Sequence, residues 1–398
     1  MGRSFLRHLV LIGPFCACTA VAAAEGAQEI KIGYLRRAEQ KPAVSLLDAP
    51  APNIGLAGAE LAIGDNNTTG RFLGQKFSIA DAKIRQDEDP AASVLKLAGE
   101  GISLVATDLP AAALLKAADA GRVHGMLFFN AGAASDSLRE EDCRANIIHV
   151  APARSMLADG LAQYLVWKHW RKWVLVTGSH LEDKLWAAAL KRAATRFGLK
   201  IVEERVFEDR GGARRTDSGI AEIQAQIPLF TQGLPDYDVL IAADESEVFA
   251  AYLPYRTKDP RPVAGSAGLV PASWEPAMEQ WGATQLQNRF MKQFSRRMKA
   301  LDMQAWTAVR MIGEAVTRTE SADAQRVRDH LLSPAFLLAA FKGQGLTLRP
   351  WNLQLRQPVL LSDGKNIVSV SPQQGFLHPV SELDTLGYDK PETKCVLK

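Results

Sequence analysis

The feature that most constrains this chain is a repeated alternation of short apolar runs with helical stretches closed by glycine. Ile30 to Leu35 reads as a strand, Ala57 to Ile63 as a helix closed by Gly64 and the turn-rich Asp65 to Gly70, and Phe77 to Ala82 as a second strand. Asp89-Pro90 sets an N-cap residue before a proline at the first helical position, and that helix runs through Leu97 to end near Gly101. Ile102 to Thr107 is a short apolar strand, Pro110 to Ala120 a helix stopped at Gly121, and His124 to Phe129 the next strand. Strands that are apolar on both faces and connected through helices pair in parallel, with helices covering both sides.

The rhythm then starts again. Met156 to Trp167 is helical, Trp173 to Thr177 a strand, and Leu185 to Phe197 a helix with Gly198 as its C-cap. Ile201 to Phe207, Val239 to Ala243 and Val263 to Gly265 are strands. Two similar runs within 398 residues, too long for one typical domain, imply an α/β protein of two doubly wound parallel-sheet lobes. From about Pro276 to Phe341 the chain is mainly helical. Val359 to Ser362, Asp363-Gly364-Lys365 and Asn366 to Val370 read as a β-hairpin.

The first 24 residues stand apart: Arg3 and Arg7 precede a mostly apolar stretch from Leu9 to Ala20, and Ala22 and Ala24 form an Ala-x-Ala site. This is the pattern of a secretory signal cleaved after Ala24; a lipoprotein signal with Cys18 as the lipidated residue is the alternative. No later stretch reaches the run of about 18 apolar residues that a membrane helix needs. Losing the two arginines takes the formal charge from +3 to +1, and no dense basic patch with interleaved aromatics argues for nucleic acid. Cys16 and Cys18 leave with the signal, so Cys143 and Cys395 remain as a disulfide or as two free thiols.

Enzyme signatures are missing: there is no G-x-S-x-G elbow, no phosphate-binding G-x-x-x-x-G-K-[ST] loop, no H-E-x-x-H and no haem-attachment Cys-x-x-Cys-His, and no cofactor is expected. Asp65 to Gly70 resembles the first half of a calcium loop, but the twelfth position, which needs a bidentate Glu, is Lys76. The segment therefore reads as a polar helix-to-strand turn. The acidic runs Asp87-Glu88-Asp89 and Glu140-Glu141-Asp142 read as solvated faces or helix starts.

The stretch LVATDLPAAALLKAADAGRVHGMLFFNAGAASDSL, followed by CRANIIHVAPARSMLADGLAQYL, resembles the central segment of type I periplasmic binding proteins, the leucine/isoleucine/valine-binding class of ABC transporter receptors. More narrowly, AGAELAIGDNNTTGRFLGQKF, EEDCRANIIHVAPARSMLADGLAQYL and LRPWNLQLRQPVLL resemble substrate-binding proteins associated with PQQ-dependent alcohol oxidation. The resemblance implies a periplasmic receptor with three crossings between lobes. A first lobe is expected at residues 28–151 and 277–352. A second is expected at 152–276, completed by 353–398. The cleft would lie between the carboxyl ends of the two sheets. The partners it implies are a small-molecule ligand and an inner-membrane ABC permease; the protein would be a monomer, not inserted in a membrane and not an enzyme.

In such a fold the strand-end loops face the ligand. They offer Arg36, Arg37, Thr107, Asp108, Asn130, Ala131, Gly132 and Ser135 from the first lobe, and His180, Asp244, Glu245 and Ser266 from the second. Trp274 and Trp351 near the hinge would wall the pocket. The small residues at 131–133 suit a close approach of backbone N–H groups to a carboxylate or another oxygen-rich group. The chain departs from amino-acid receptors in two places: residues 130–134 supply no Ser or Thr for an α-carboxylate, and residues 265–268 supply no acid for an α-ammonium. If Asp108, Asp244 and Glu245 converged, a metal or lanthanide ion or its chelate would become conceivable. A periplasmic ligand sensor on the same fold is the other alternative.

Overall fold

A computed structural model describes residues 27–37, 50–209 and 217–397. The expected signal segment lies outside the described residues. The first unit runs β1 (Gln28–Arg37), α1 (Leu56–Gly70), β2 (Gln75–Ile84), α2 (Pro90–Gly99), β3 (Leu104–Asp108), α3 (Ala111–Arg122), β4 (Leu127–Asn130) and β5 (Ile147–His149). Its five strands form a parallel sheet in the order β2-β1-β3-β4-β5. The second runs α4 (Arg154–Trp167), β6 (Lys172–Gly178), α5 (Leu181–Arg196), β7 (Lys200–Phe207), α6 (Asp217–Phe230), β8 (Val239–Ala243), α7 (Leu253–Arg256) and β9 (Val263–Gly265). Its parallel order is β7-β6-β8-β9. The protein is thus α/β, with two parallel-sheet lobes of doubly wound order.

The strands alternate between two apolar layers because successive side chains point to opposite faces. Leu104, Ala106, Leu127 and Phe129 enter one core, while Val105 and Phe128 enter the core on the other face. In the second sheet, Trp173, Leu175, Val239 and Ile241 face α4 and α5, and Val174, Val176, Leu240 and Ala242 face the opposite layer. Both faces are buried, which is why the strands read as unbroken apolar runs.

After β9 comes β10 (Val270–Ala272), then α8 (Ala283–Phe294), α9 (Ala300–Thr319) and α10 (Ala324–Leu332). The core of α9 merges with that of α1, β1 and β3, so the chain has returned to the first lobe. A small antiparallel sheet follows, of β11 (Leu338–Ala339), β12 (Gly345–Leu348) and β13 (Leu355–Arg356). The hairpin of β14 (Val359–Ser362) and β15 (Ile367–Ser371) pairs with β10 and packs on α4. Between the cores of the two lobes the chain passes three times: after β5, after β10 and around β13. Asp363 shapes the hairpin turn by accepting from the backbone N–H groups of Lys365 (2.8 Å) and Asn366 (2.7 Å).

One element differs from its reading. Residues 65–70 are the last turns of α1, not a turn beyond it. Asx and hydroxyl side chains break helices by competing for their own backbone. Here they are engaged elsewhere: Asp65 accepts from Trp306 Nε1 (2.9 Å), Asn66 donates to the Val309 carbonyl (3.0 Å), and Asn67 brackets Phe77 with bonds of 2.9 and 2.7 Å. β5, only three residues long, was not expected.

Cys143 and Cys395 are bonded to each other, with Cα atoms 5.7 Å apart across 252 residues of sequence. No helix among the described residues is long and apolar enough to cross a membrane.

Candidate functional site

The carboxyl ends of β1, β3 and β4 fall at Arg37, Asp108 and Asn130; those of β6, β8 and β9 fall at Gly178, Ala243 and Gly265. One residue links the two sets. Arg154, the first residue of α4, donates from Nε (2.8 Å) and Nη2 (2.6 Å) to the Glu245 carboxylate beyond β8, and from Nη2 to Glu182 at the start of α5. Its Nη1 reaches Ser135 Oγ at 3.5 Å, and its backbone N–H donates to the Ala134 carbonyl (2.9 Å), both in the loop beyond β4. The neighbouring Ser155 N–H and hydroxyl donate to Asp136 at 3.1 and 2.5 Å. Burial works against the Arg154 charge, but the bonds to Glu245 and the nearby Glu182 outweigh it and hold the guanidinium above its ordinary range. Two carboxylates share this one cation, and Glu182 is still 56% exposed.

The loop beyond β4 is fixed from beneath. Asn130 is fully buried: its Nδ2 donates to the Ala133 carbonyl (2.8 Å) and to His149 Nδ1 (3.1 Å), and its Oδ1 accepts from the Ala133 N–H (2.8 Å). Burial and the nearby Arg139 charge keep the His149 pKa well below its usual value. Arg139 donates to Gln354 Oε1 (2.8 Å) and to the carbonyls of Ala133 (3.0 Å), Ser135 (2.9 Å) and Ala151 (2.7 Å). It ties the loop to two of the passages between lobes. None of these four acceptors is charged, and full burial draws the Arg139 pKa down to about 9.

Several residues read as ligand-facing are engaged with partners inside the protein. The Asp244 carboxylate is 2% exposed and accepts from the N–H groups of Val248 (2.9 Å), Phe249 (2.7 Å) and Ala250 (2.7 Å). Burial raises its pKa against the pull of those bonds. Ser266 Oγ accepts from the Asp244 N–H (2.9 Å), and buried Thr107 donates to the Phe129 carbonyl (3.3 Å). Ala131 is fully buried. Gly132 is small because the Asp108 carboxylate packs where its Cβ would be. Arg36 is held by Asp81 through bonds of 2.7 and 2.8 Å, and Arg37 donates to the Glu88 carbonyl (3.0 Å). His180, the N-cap of α5, pairs with Asp209 (2.7 Å). Trp351 stands in the third passage with the guanidinium groups of Arg349 and Arg356 at 5.6 and 5.3 Å from its ring; both bind Asp384 (2.8 Å each). Trp274 is buried in the first lobe's core.

Asp108, Asp244 and Glu245 do not form a cation site. Among the described residues no group of three His, Cys, Asp or Glu side chains is placed to hold a metal. Asp244 is spent on backbone N–H groups and Glu245 on Arg154. A recess of about 480 Å³, lined by Leu234, Asp236, Tyr237, Asp259 and Arg261, lies at the amino ends of β8 and β9, away from the strand tips.

Glu182 falls within the loop 178–183 that the sequence offers beyond β6, whereas Arg154, Asp136 and Arg139 were missed in the sequence. Arg154 carried a signal: a cation in the first turn of a helix opposes the macrodipole unless an acid compensates it.

Residues 49–226 match the family profile described as periplasmic binding protein. No curated protein matches the chain. Among solved structures, a periplasmic binding protein from Burkholderia mallei aligns with a TM-score of 0.67 at 16% identity, over 94% of this chain and 100% of that one. A branched chain amino acid ABC transporter periplasmic ligand-binding protein from Burkholderia xenovorans LB400 aligns with a TM-score of 0.66 at 18% identity, over 90% of this chain and 94% of that one. An ABC transporter solute-binding protein from R. palustris, in complex with benzoate, aligns with a TM-score of 0.63 at 14% identity, over 93% and 100%. The fold is that of the type I periplasmic binding proteins.

Proposed function

We propose that this protein is the substrate-binding component of an ABC transporter of the branched-chain amino acid receptor type, acting in the periplasm and delivering a small polar solute to an inner-membrane permease. The carrying observation is the Arg154–Glu182–Glu245 cluster, which sits at the strand tips of one lobe and reaches Ser135 beyond the strand tips of the other. A group at that position senses both lobes, so a ligand touching it can favour the closed arrangement over the open one. Glu182, Glu245, Ser135, His180 and the Gly132 backbone are the groups proposed to meet the ligand. Asn130, Arg139 and Asp244 shape the loops that present them. The lobe division proposed is 28–151 with 277–352, and 152–276 with 353–398; residues 1–24 are proposed as the export signal.

A free α-amino acid is a poor candidate, since residues 130–134 and 265–268 lack the hydroxyl and the acid that would hold its two charges. The neighbour crystallised with benzoate shows that the fold accommodates ligands of other chemistry. A link to PQQ-dependent alcohol oxidation is supported by the three resembling segments quoted above, and makes the alcohols, aldehydes and carboxylates of that chemistry the first solutes to try.

The test is a thermal-shift panel of leucine, isoleucine, benzoate, short alcohols and their aldehydes and acids. Ligand at a hundredfold excess over Kd stabilises the folded form by about 2.7 kcal/mol. One chemical class is expected to raise the melting temperature by several degrees without being consumed. No shift with any class, together with native mass spectra showing no retained small molecule, refutes the reading.

A further inference from the structure

The last residues of the chain hold both lobes at once. Residues 385–392 pack on the second lobe, while Arg349 and Arg356 beside the third passage hold Leu383, Asp384 and Leu386. Leu386 enters that lobe's core, Gln163 of α4 donates to Thr385 Oγ1 (3.0 Å), and the Gly387 N–H donates to the fully buried Asp159 of α4 (2.8 Å). Asp159 also takes Arg192 (3.0 Å) and Arg196 (2.6 Å) of α5; Arg192 donates in turn to Glu392 (3.0 Å) and lies 4.0 Å from the Tyr388 ring. One residue further, the attachments change lobe. Thr393 Oγ1 and the Lys394 N–H donate to Glu140 (3.2 and 2.6 Å), and Cys395 is bonded to Cys143. The Cys143 turn belongs to the first lobe: Arg144 pairs with Asp119 of α3 (2.8 Å), Asn146 donates to the Ala118 carbonyl (2.8 Å), and Arg328 of α10 donates to the Ala145 carbonyl (3.0 Å).

We propose that residues 383–395 are a fourth connection between the lobes, a strap closed covalently at Cys143–Cys395, that sets how far the cleft opens. Only three peptide links separate Glu392, fixed to α5, from Cys395, fixed to the first lobe. Fully extended, they span about 10–11 Å. The lobes cannot part along this edge beyond that reach unless the Asp159–Arg192–Glu392 network lets go. Within it Asp159 is fully buried and accepts from the Gly387 N–H, while the Glu392 side chain is 42% exposed and its pair with Arg192 is the weaker link. The three passages are single runs of backbone; the strap is a length limit, held at its start to the third of them by Arg349 and Arg356 and at its end to the first lobe by the disulfide. The inference rests on the receptor reading in that it presumes a cleft that opens.

The test is the inter-lobe distance distribution by pulsed electron spin resonance. Spin labels go on non-cysteine unnatural residues at Val123 and Tyr255, 80% and 86% exposed on the first and second lobes. The full chain is compared with Cys143→Ser/Cys395→Ser, and with a chain carrying a six-residue Gly/Ser insertion between Glu392 and Thr393 that keeps the disulfide. Both changes are expected to broaden the distribution and move its mean outward by about 5 Å or more, since either frees the strap's limited reach. If the double serine chain does not fold, the lengthened chain decides alone. Unchanged distributions in folded variants overturn the proposal. So does a change confined to the double serine chain, because local packing at the cysteines would then be responsible. No ligand is present in the measurement, so an unimportant strap and a cleft that binds nothing fail in different experiments.

Discussion

At the scale of single residues, the buried cations carry the sharpest expectations. Lys342 is 4% exposed and donates to Gln357 Oε1 (2.5 Å), which in turn holds the Val150 carbonyl (2.6 Å) from the first passage between lobes. Burial lowers its pKa from 10.5 to about 7. Between those values the unfolded chain binds a proton that the folded chain does not, so stability rises as pH rises through that window and the penalty is complete below about 7. Guanidinium unfolding from about pH 7 to pH 9.5 should show the wild type gaining about 2–3 kcal/mol relative to Lys342→Met. Parallel pH profiles would refute a neutral buried lysine. Arg139→Lys keeps a charge but loses the planar fork that reaches four acceptors, and should cost about 2–4 kcal/mol in the same assay. The residue scale was also the least legible. Asn130 and Asp244 sit at strand ends, where a polar side chain either meets ligand or caps a loop, and their sequence neighbourhood does not separate the two. Arg154 was legible in principle, as a cation at the positive end of a helix.

At the scale of elements, the strands were read almost to the residue where both faces are buried: Val239–Ala243 and Val263–Gly265 coincide with β8 and β9. Apolar runs between glycines leave little else for the backbone to do. The reading of α1 stopped at Ile63, seven residues short of its end at Gly70, since the partners of Asp65 and Asn66 lie on α9, more than 200 residues away in sequence. The α1–α9 crossing is close enough that a Cβ at Gly58 would fall 1.8 Å from the Asp302 carbonyl oxygen. Gly58→Ala must push the helices apart and is expected to destabilise the first lobe by at least about 2–3 kcal/mol. A change in the denaturation midpoint equivalent to under about 0.5 kcal/mol, the range of a neutral surface substitution, would show that this crossing is not tight.

At the scale of the whole molecule, two parallel-sheet lobes followed from the rhythm repeating, while the strap and the hinge network of Arg139, Gln354 and Arg349 did not, since they join residues remote in sequence. The account's central claim is that ligand is held where Arg154 meets Glu182, Glu245 and the Ser135 loop. The direct measurement is titration calorimetry of the solute that shifts the melting temperature, against wild type, Glu182→Gln and Arg154→Met, each confirmed folded by circular dichroism. Removing a hydrogen-bonded charge from a closed cleft costs about 1.5–3 kcal/mol, so affinity should fall about 10- to 100-fold in both variants. Wild-type affinity in both, with the fold intact, would contradict the placement of the site between the lobes.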